Sequence, residues 1–208
     1  MEVAASPFRS TRTNEGERRE KRTALLLAAV RMFNERGFHA TSLEDVASSL
    51  GVTKPVIYHH LGNKEQVLFE CVRLGLEELQ HGAEGAKATP GTGLDRLKTF
   101  LCSYAESVMG DFGKCVIRTG DELLSEQSRV DLRAQKGEID HTLRAMIEDA
   151  VADGSAKVSD VKLTAFAFAG ALNWPARWYR PDGQLDRRDM AHRLVEVLCS
   201  GIMPHSAQ

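Results

Sequence analysis

Residues 40–68 read ATSLEDVASSLGVTKPVIYHHLGNKEQVL, and their punctuation decides the fold. Thr41 to Glu44 has the T-x-x-E spacing of a capping box, which predicts a helix entered through Thr41. Leu43, Val46, Ala47 and Leu50 recur at helical spacing and give that helix one apolar face. Gly51 is its stop, since a left-handed residue after a helix is cheap only for glycine. Val52 turns inward and Thr53 caps a second helix, Lys54 to about His60. Pro55 fits there because a first-turn residue needs no N–H. Ile57 and Leu61 face the core, which leaves Lys54, Pro55, Val56, Tyr58, His59 and His60 outside. A solvated helix of this length would carry more charge. Aromatic, imidazole and small apolar groups instead suit base edges, thymine methyls and phosphates. Asn63 with Gln66 starts a third helix, and Lys64 in its first turn predicts a phosphate clamp. The competing reading is a helical packing unit without a ligand.

The run Ala24 to Leu68 resembles the DNA-binding domain of TetR-type repressors. The resemblance rests on Ala28, Ala29 and Phe33, the turn Arg36-Gly37-Phe38, then Thr41-Ser42, Val46-Ala47, Leu50-Gly51-Val52, Tyr58, His60 and Asn63-Lys64-Glu65, all in register. It implies that Thr41 and Ser42 meet phosphate. It implies that Thr53, Tyr58 and Lys64 hold the DNA backbone, and that Lys54, Pro55, Val56 and His59 face bases, with His60 in the same surface. Some relatives carry Arg where Glu44 stands. Glu44 cannot donate to guanine, so less base readout is expected from the first helix.

The formal net charge of −2 is unevenly spread. Residues 1–64 carry 10 Lys/Arg against 7 Asp/Glu, a net of +3, and residues 65–208 carry 17 against 22, a net of −5. Residues 1–20 read as a flexible polar arm, with Arg18, Arg19, Lys21 and Arg22 placed to reach phosphates or a minor groove. The reading divides the chain into this arm, a helix-turn-helix domain at 21–66 and a helical ligand-binding and dimerisation domain at 67–208. The expected fold is all-α, because no alternating strand pattern of useful length occurs. No apolar run approaches a membrane span and the start lacks a signal-peptide core, so cytoplasmic residence is expected.

In the larger domain the pattern predicts a connecting helix from Lys64 to about His81, a loop from Gly82 to Gly93, and a helix marked by Leu94, Leu97, Phe100, Leu101, Tyr104 and Val108 that Gly110 and Gly113 break. A shorter helix follows over about Lys114 to Leu124. Then come a long one from near Ser128 to Ala152, one from about Ser159 to Trp174, and a last one over about Asp186 to Ser200, with Met190, Leu194, Val197 and Leu198 giving it an apolar face. The stretch Ala165 to Leu172 is apolar all round, which predicts burial on every side. In a domain of this size a second copy is the expected cover, giving a homodimer through the last two helices. A two-fold dimer suits a pseudo-palindrome in double-stranded operator DNA.

Asn173 to Gly183, NWPARWYRPDG, holds both tryptophans of the chain beside two arginines and two prolines. Trp174 and Trp178 faces with Arg177 and Arg180 suit a flat anionic ligand, or equally a stacked corner at an interface. The segment resembles TetR-type regulators that respond to acyl-CoA or steroid-CoA thioesters. That resemblance implies a small-molecule effector such as a CoA thioester, an apolar tunnel lined by Phe100, Tyr104, Met109, Leu143, Met146 and Phe168, and positive charge from Arg118, Arg144, Arg177 or Arg180. The four cysteines, Cys71, Cys102, Cys115 and Cys199, make no C-x-x-C pair, and no metal or cofactor is expected. Asp111-Phe112-Gly113 stands without the glycine-rich and catalytic loops that would give it meaning, and no P-loop, dinucleotide fingerprint or G-x-S-x-G elbow occurs, so no enzyme is expected. The reading is a ligand-responsive repressor, in which effector binding moves the connecting helix as a lever; an activator, or a helical scaffold that does not bind DNA, are the alternatives.

Overall fold

The computed structural model describes residues 15–202; residues 1–14 and 203–208 lie outside the described residues, and with them most of the expected arm. Leu25, Leu26, Ala29, Val30 and Phe33 recur at three and four, and they bury one face of α1 (Glu15–Arg36). This helix starts six residues inside the stretch read as an arm. Arg22 does not reach out from it. Its guanidinium donates to the His60 carbonyl at 2.7 Å and pairs with Glu70 at 3.2 Å, so it ties three helices together.

α2 (Leu43–Ser49) and α3 (Lys54–Leu61) follow, joined through Gly51 at φ +64°. The cap of α2 lies one residue later than the spacing predicted. Ser42 accepts from the Asp45 N–H at 3.0 Å and Asp45 accepts from the Ser42 N–H at 3.0 Å. Thr41 is buried instead, and its hydroxyl donates to the carbonyls of Met32 at 3.2 Å and Gly37 at 3.0 Å. Both boxes fit the local pattern. Burial of Thr41 decides between them, because a buried hydroxyl needs a partner and the Met32 and Gly37 carbonyls supply it.

α4 (Lys64–Lys87) opens on the expected Asn63–Gln66 box but runs past the expected end at His81. The predicted loop shrinks to residues 88–92. Glycine inside a helix costs about 1 kcal/mol against alanine, and the cost is accepted at Gly82 for close packing. A Cβ there would lie 2.2 Å from Ser103 Oγ on the next helix. That helix is α5 (Gly93–Val108). α6 (Asp111–Arg118) begins before the expected Lys114, contains Gly113 instead of stopping at it, and is followed by a 3-10 turn at Asp121–Leu123. α7 (Glu126–Ala152), α8 (Val161–Asn173), the short α9 (Pro175–Trp178) and α10 (Arg187–Ser200) complete the order, with no strand among the described residues.

α4 is the centre of the larger half, against α5, α6 and α7, while α5 also carries α8 and α10. Two faces bear on the expected dimer. α10 packs inward through Ala191, Val195 and Cys199, whose small side chains let it approach α5. Val197 is 71% exposed, and Met190, Leu194 and Leu198 are only half-buried. α8 buries Ala165, Phe168 and Leu172, but leaves Leu163 64% and Phe166 50% exposed. Within one chain α8 is therefore covered on one side, not all round.

Candidate nucleic-acid interface and effector cavity

The exposed end of α3 is assembled by two local devices. Pro55 in the first turn and Thr53 in extended backbone fix where the helix begins. Ile57 and Leu61 are buried and anchor it. Lys54, Pro55, Tyr58 and His59 are then exposed, while Val56 and His60 are half-buried. The Thr53 hydroxyl makes no capping bond and stands on the surface. Ser42, half-buried, is engaged in its own capping box. Thr41 is the exception among the expected phosphate contacts: at 1% exposure its side chain is not part of the surface.

Lys64 sits beside this end. Its ammonium lies 4.3 Å from the centre of the Phe38 ring and donates to the His39 carbonyl at 3.5 Å, so the α1–α2 turn positions the charge. A depression of about 750 Å³ opens on the other flank, where Arg18, Lys21, Thr53 and His59 meet. Burial lowers the His60 pKa below the ordinary imidazole value, and the positive neighbours His59, Arg18, Lys21 and Arg22 lower it further. His60 is therefore neutral near pH 7 and offers hydrogen bonds rather than charge. The arrangement presents cations, a phenol and imidazoles on and around one short helix, as backbone clamping and base-edge contact require.

A second site lies among the helices of the larger half. A cavity of about 430 Å³ is enclosed by Leu76 and Leu79 of α4, Tyr104 of α5, Val116 and Ile117 of α6, Ile139 and Leu143 of α7, and Phe166 and Ala169 of α8. Its polar groups are Thr119, Lys136, Asp140, Asn173 and the Tyr104 hydroxyl. Tyr104 donates to Asn173 Oδ1 at 3.0 Å, and burial pushes its pKa up to about 12, so it stays a neutral donor. An apolar pocket with a few fixed polar groups is the usual form of a small-molecule site.

Of the expected effector contacts, Tyr104 and Leu143 line this cavity. Phe100, Met109, Met146 and Phe168 are core residues, between 0% and 4% exposed. Periodicity marks all of them as inward, but cannot tell the core from a cavity wall. Arg144 pairs with Asp140 and lies 5.4 Å from the Phe166 ring, so it borders the cavity. Arg118 does not reach it. Its guanidinium donates to the carbonyls of Ala176 at 2.9 Å, Asn34 at 2.9 Å and Arg177 at 3.3 Å. Trp174, Arg177, Trp178 and Arg180 are exposed beyond the cavity and do not line it. The wall residues that sequence reading missed, such as Leu76, Val116, Ile139 and Phe166, come from four helices whose convergence no local pattern records.

Two stretches of the chain match known families. Residues 25–71 match the bacterial regulatory proteins of the tetR family, and residues 90–202 match the tetracyclin repressor-like C-terminal domain. The chain belongs to the TetR family. It is thus an all-helical transcriptional regulator with an N-terminal helix-turn-helix. A transcriptional repressor of Rhodococcus jostii, KstR2, is 28% identical over 191 residues, covering 89% of this chain and 93% of the relative. The TetR-family regulator PfmR of Thermus thermophilus superposes with a TM-score of 0.77 at 30% identity, over 85% of this chain and 97% of its own. AibR, solved with isovaleryl coenzyme A and operator DNA, superposes with a TM-score of 0.75 at 25% identity, over 86% of this chain and 97% of its own. These relatives are regulators rather than enzymes. No helix among the described residues is long and apolar enough to cross a membrane.

The TetR-family cavity is not flanked by reactive sulfur. Burial raises the Cys102 and Cys115 thiols to about 11, Cys71 well above its ordinary value, and Cys199 in the same direction. At pH 7 a thiol with a pKa near 11 is roughly 0.01% thiolate, and the thiolate is the reactive form. Native protein is expected to react slowly with a colorimetric disulfide reagent, and to release its four thiols only on denaturation. A rapid native reaction of any one of them would show that the folded chain opens around it.

Proposed function

We propose that this TetR-family protein represses transcription by binding a pseudo-palindromic operator as a homodimer, and that a small molecule of the CoA thioester class releases it. The observation that carries the reading is the course of α4. It starts in the DNA-binding unit at Lys64 and walls the effector cavity with Leu76 and Leu79. At about 1.5 Å per residue, Leu76 lies roughly 18 Å along the helix from Lys64. A ligand wedged against Leu76 and Leu79 displaces the far end of the same rigid rod, and with it α3. Displacing the two α3 helices of a dimer from the spacing of two half-sites weakens binding. AibR, with both isovaleryl coenzyme A and operator DNA, supports the ligand class. The 430 Å³ cavity suits the acyl portion of such a thioester. Arg144 and Lys162, at 5.4 and 5.8 Å from the Phe166 ring, stand beside it as partners for phosphate.

The leucine and aromatic stripe left bare on α8, together with Val197 on α10, supports a dimer through these two helices. The DNA contacts proposed are Ser42, Thr53, Tyr58 and Lys64 on phosphates, with Lys54, Pro55, Val56, His59 and His60 toward the bases. Tyr58→Ala and Lys64→Ala are each expected to abolish operator binding while the thermal unfolding midpoint stays put, since both side chains are largely outside the core. Fluorescence anisotropy on DNA from the upstream region of the gene, with and without a panel of CoA thioesters, tests the reading. Salt-sensitive binding released by one thioester is expected. Wild-type affinity in either variant would remove the docking geometry proposed for α3.

A further inference from the structure

Glu44 stands among the cations of the DNA-facing surface, where a carboxylate is out of place. It occupies the first turn of α2, forms an ion pair with Lys54 and accepts from the Tyr58 hydroxyl at 3.3 Å. The Lys54 ammonium also lies 5.5 Å from the centre of the Tyr58 ring. These three side chains bind the start of α2 to the start of α3. The pair is open to solvent, with side-chain exposures of 43% for Glu44 and 61% for Lys54, so it is not a core contact. An exposed, solvent-screened ion pair of this kind adds little to folding, which does not account for a carboxylate here.

Lys54 is the first residue of α3, and the first residues of a recognition helix are the ones that meet base edges. A carboxylate bonded to Lys54 enters the groove with it. An ionised carboxylate only accepts hydrogen bonds. In the major groove guanine shows N7 and O6 acceptors, thymine shows O4 and its methyl group, adenine shows N6–H₂ beside the N7 acceptor, and cytosine shows the N4–H₂ donor alone. Cytosine is thus the base that meets a carboxylate without a facing acceptor. Its N4 group is the hydrogen-bonded neighbour of guanine O6 in the pair, so a carboxylate in contact with an ammonium matches a C·G pair donor to acceptor and acceptor to donor.

We infer that Glu44 is a specificity-determining residue: its carboxylate accepts from the N4 amino group of a cytosine in each half-site while its partner Lys54 donates to the guanine of the same pair. The inference rests on the docking of α3 proposed above. Glu44 acts as a filter as much as a contact, because guanine or thymine in the facing position sets acceptor against acceptor. It also restrains Lys54, which unpaired would be free to neutralise any phosphate.

Selection from a randomised DNA library, followed by competition against singly substituted sites, tests this with wild type, Glu44→Ala and Glu44→Gln. Wild type is expected to select cytosine at one position per half-site, and both variants to lose about tenfold in discrimination at that position alone. Glu44→Ala is also expected to bind random DNA more tightly, with the slope of log affinity against log salt steeper by about 0.9 for the one added phosphate contact. Retention of every wild-type preference in both variants overturns the inference. So does a uniform loss of affinity for all sequences, which is what a merely structural Glu44 would give. Absence of salt-sensitive binding by the wild type overturns the docking as well, and is seen before any variant is compared.

Discussion

Arg118→Met is expected to separate the two binding activities of this protein without destroying either. Arg118 is fully committed to backbone carbonyls: Asn34 at the end of α1, and Ala176 and Arg177 in α9. The helix that carries it, α6, lines the effector cavity with Val116 and Ile117. The start of α6 is tied to α1 as well, through Arg31 on Asp111 at 2.8 Å and Asn34 donating to the Asp111 carbonyl at 2.8 Å. Arg118 therefore joins the cavity wall, the DNA-binding unit and the α8–α9 corner in one residue. Coupling between sites in proteins of this kind typically amounts to about 5–150-fold in affinity. Methionine fills similar space but donates nothing, so the last turn of α6 loses its ties to α1 and α9, while Arg31 and Asn34 still hold its start at Asp111. Operator affinity without effector and effector affinity without DNA are expected to stay within about threefold of wild type, while the effector-induced release falls by about threefold or more, α4 carrying the remainder. The lost hydrogen bonds cost about 1–3 kcal/mol of stability, so unfolding is measured alongside. Anisotropy titrations at several effector concentrations, with calorimetry of the effector alone, give all three quantities. Release at the wild-type ratio would mean that the coupling runs through α4 without α6.

The second large effect is expected from the bare face of α8 and α10. Leu163, Trp174 and Val197 are 64%, 62% and 71% exposed in the single chain. Burying a side chain of this size contributes about 1.5–3 kcal/mol, and a two-fold contact counts each residue twice. Leu163→Glu or Val197→Glu places a charge in the dimer contact proposed above while leaving the fold of each chain alone, because both side chains are exposed in their own chain. Sedimentation is expected to shift from dimer to monomer, with little change in helicity. Operator affinity is expected to fall by about 10²–10⁴, since the second half-site no longer benefits from linkage to the first. A persistent dimer that binds operator normally in both variants would move the interface elsewhere.

The DNA-binding unit was legible in the sequence because its signals are short in range. Asn63 with Gln66, Pro55 in a first turn and Gly51 after α2 each act within three or four residues, and the structure shows all three where the pattern put them. The cap of α2 slipped by one residue for a non-local reason. Thr41 is drawn into the end of α1 by Met32, nine residues away, and no spacing rule reports that. The extent of α4 was misread for the same kind of reason, since Gly82 looks like a break until Ser103 is seen to pass against it. In the larger half the sequence determined the class of fold and the inward residues, because apolar periodicity is a property of one helix at a time. Only the tertiary structure decided which inward residues close the core and which wall a cavity, that Arg118 joins helices through their backbone carbonyls, and that α10 turns Val195 inward and Val197 outward. Those outcomes depend on how closely whole helices approach one another, which is set by packing volume summed over several segments and is written in no single stretch of chain.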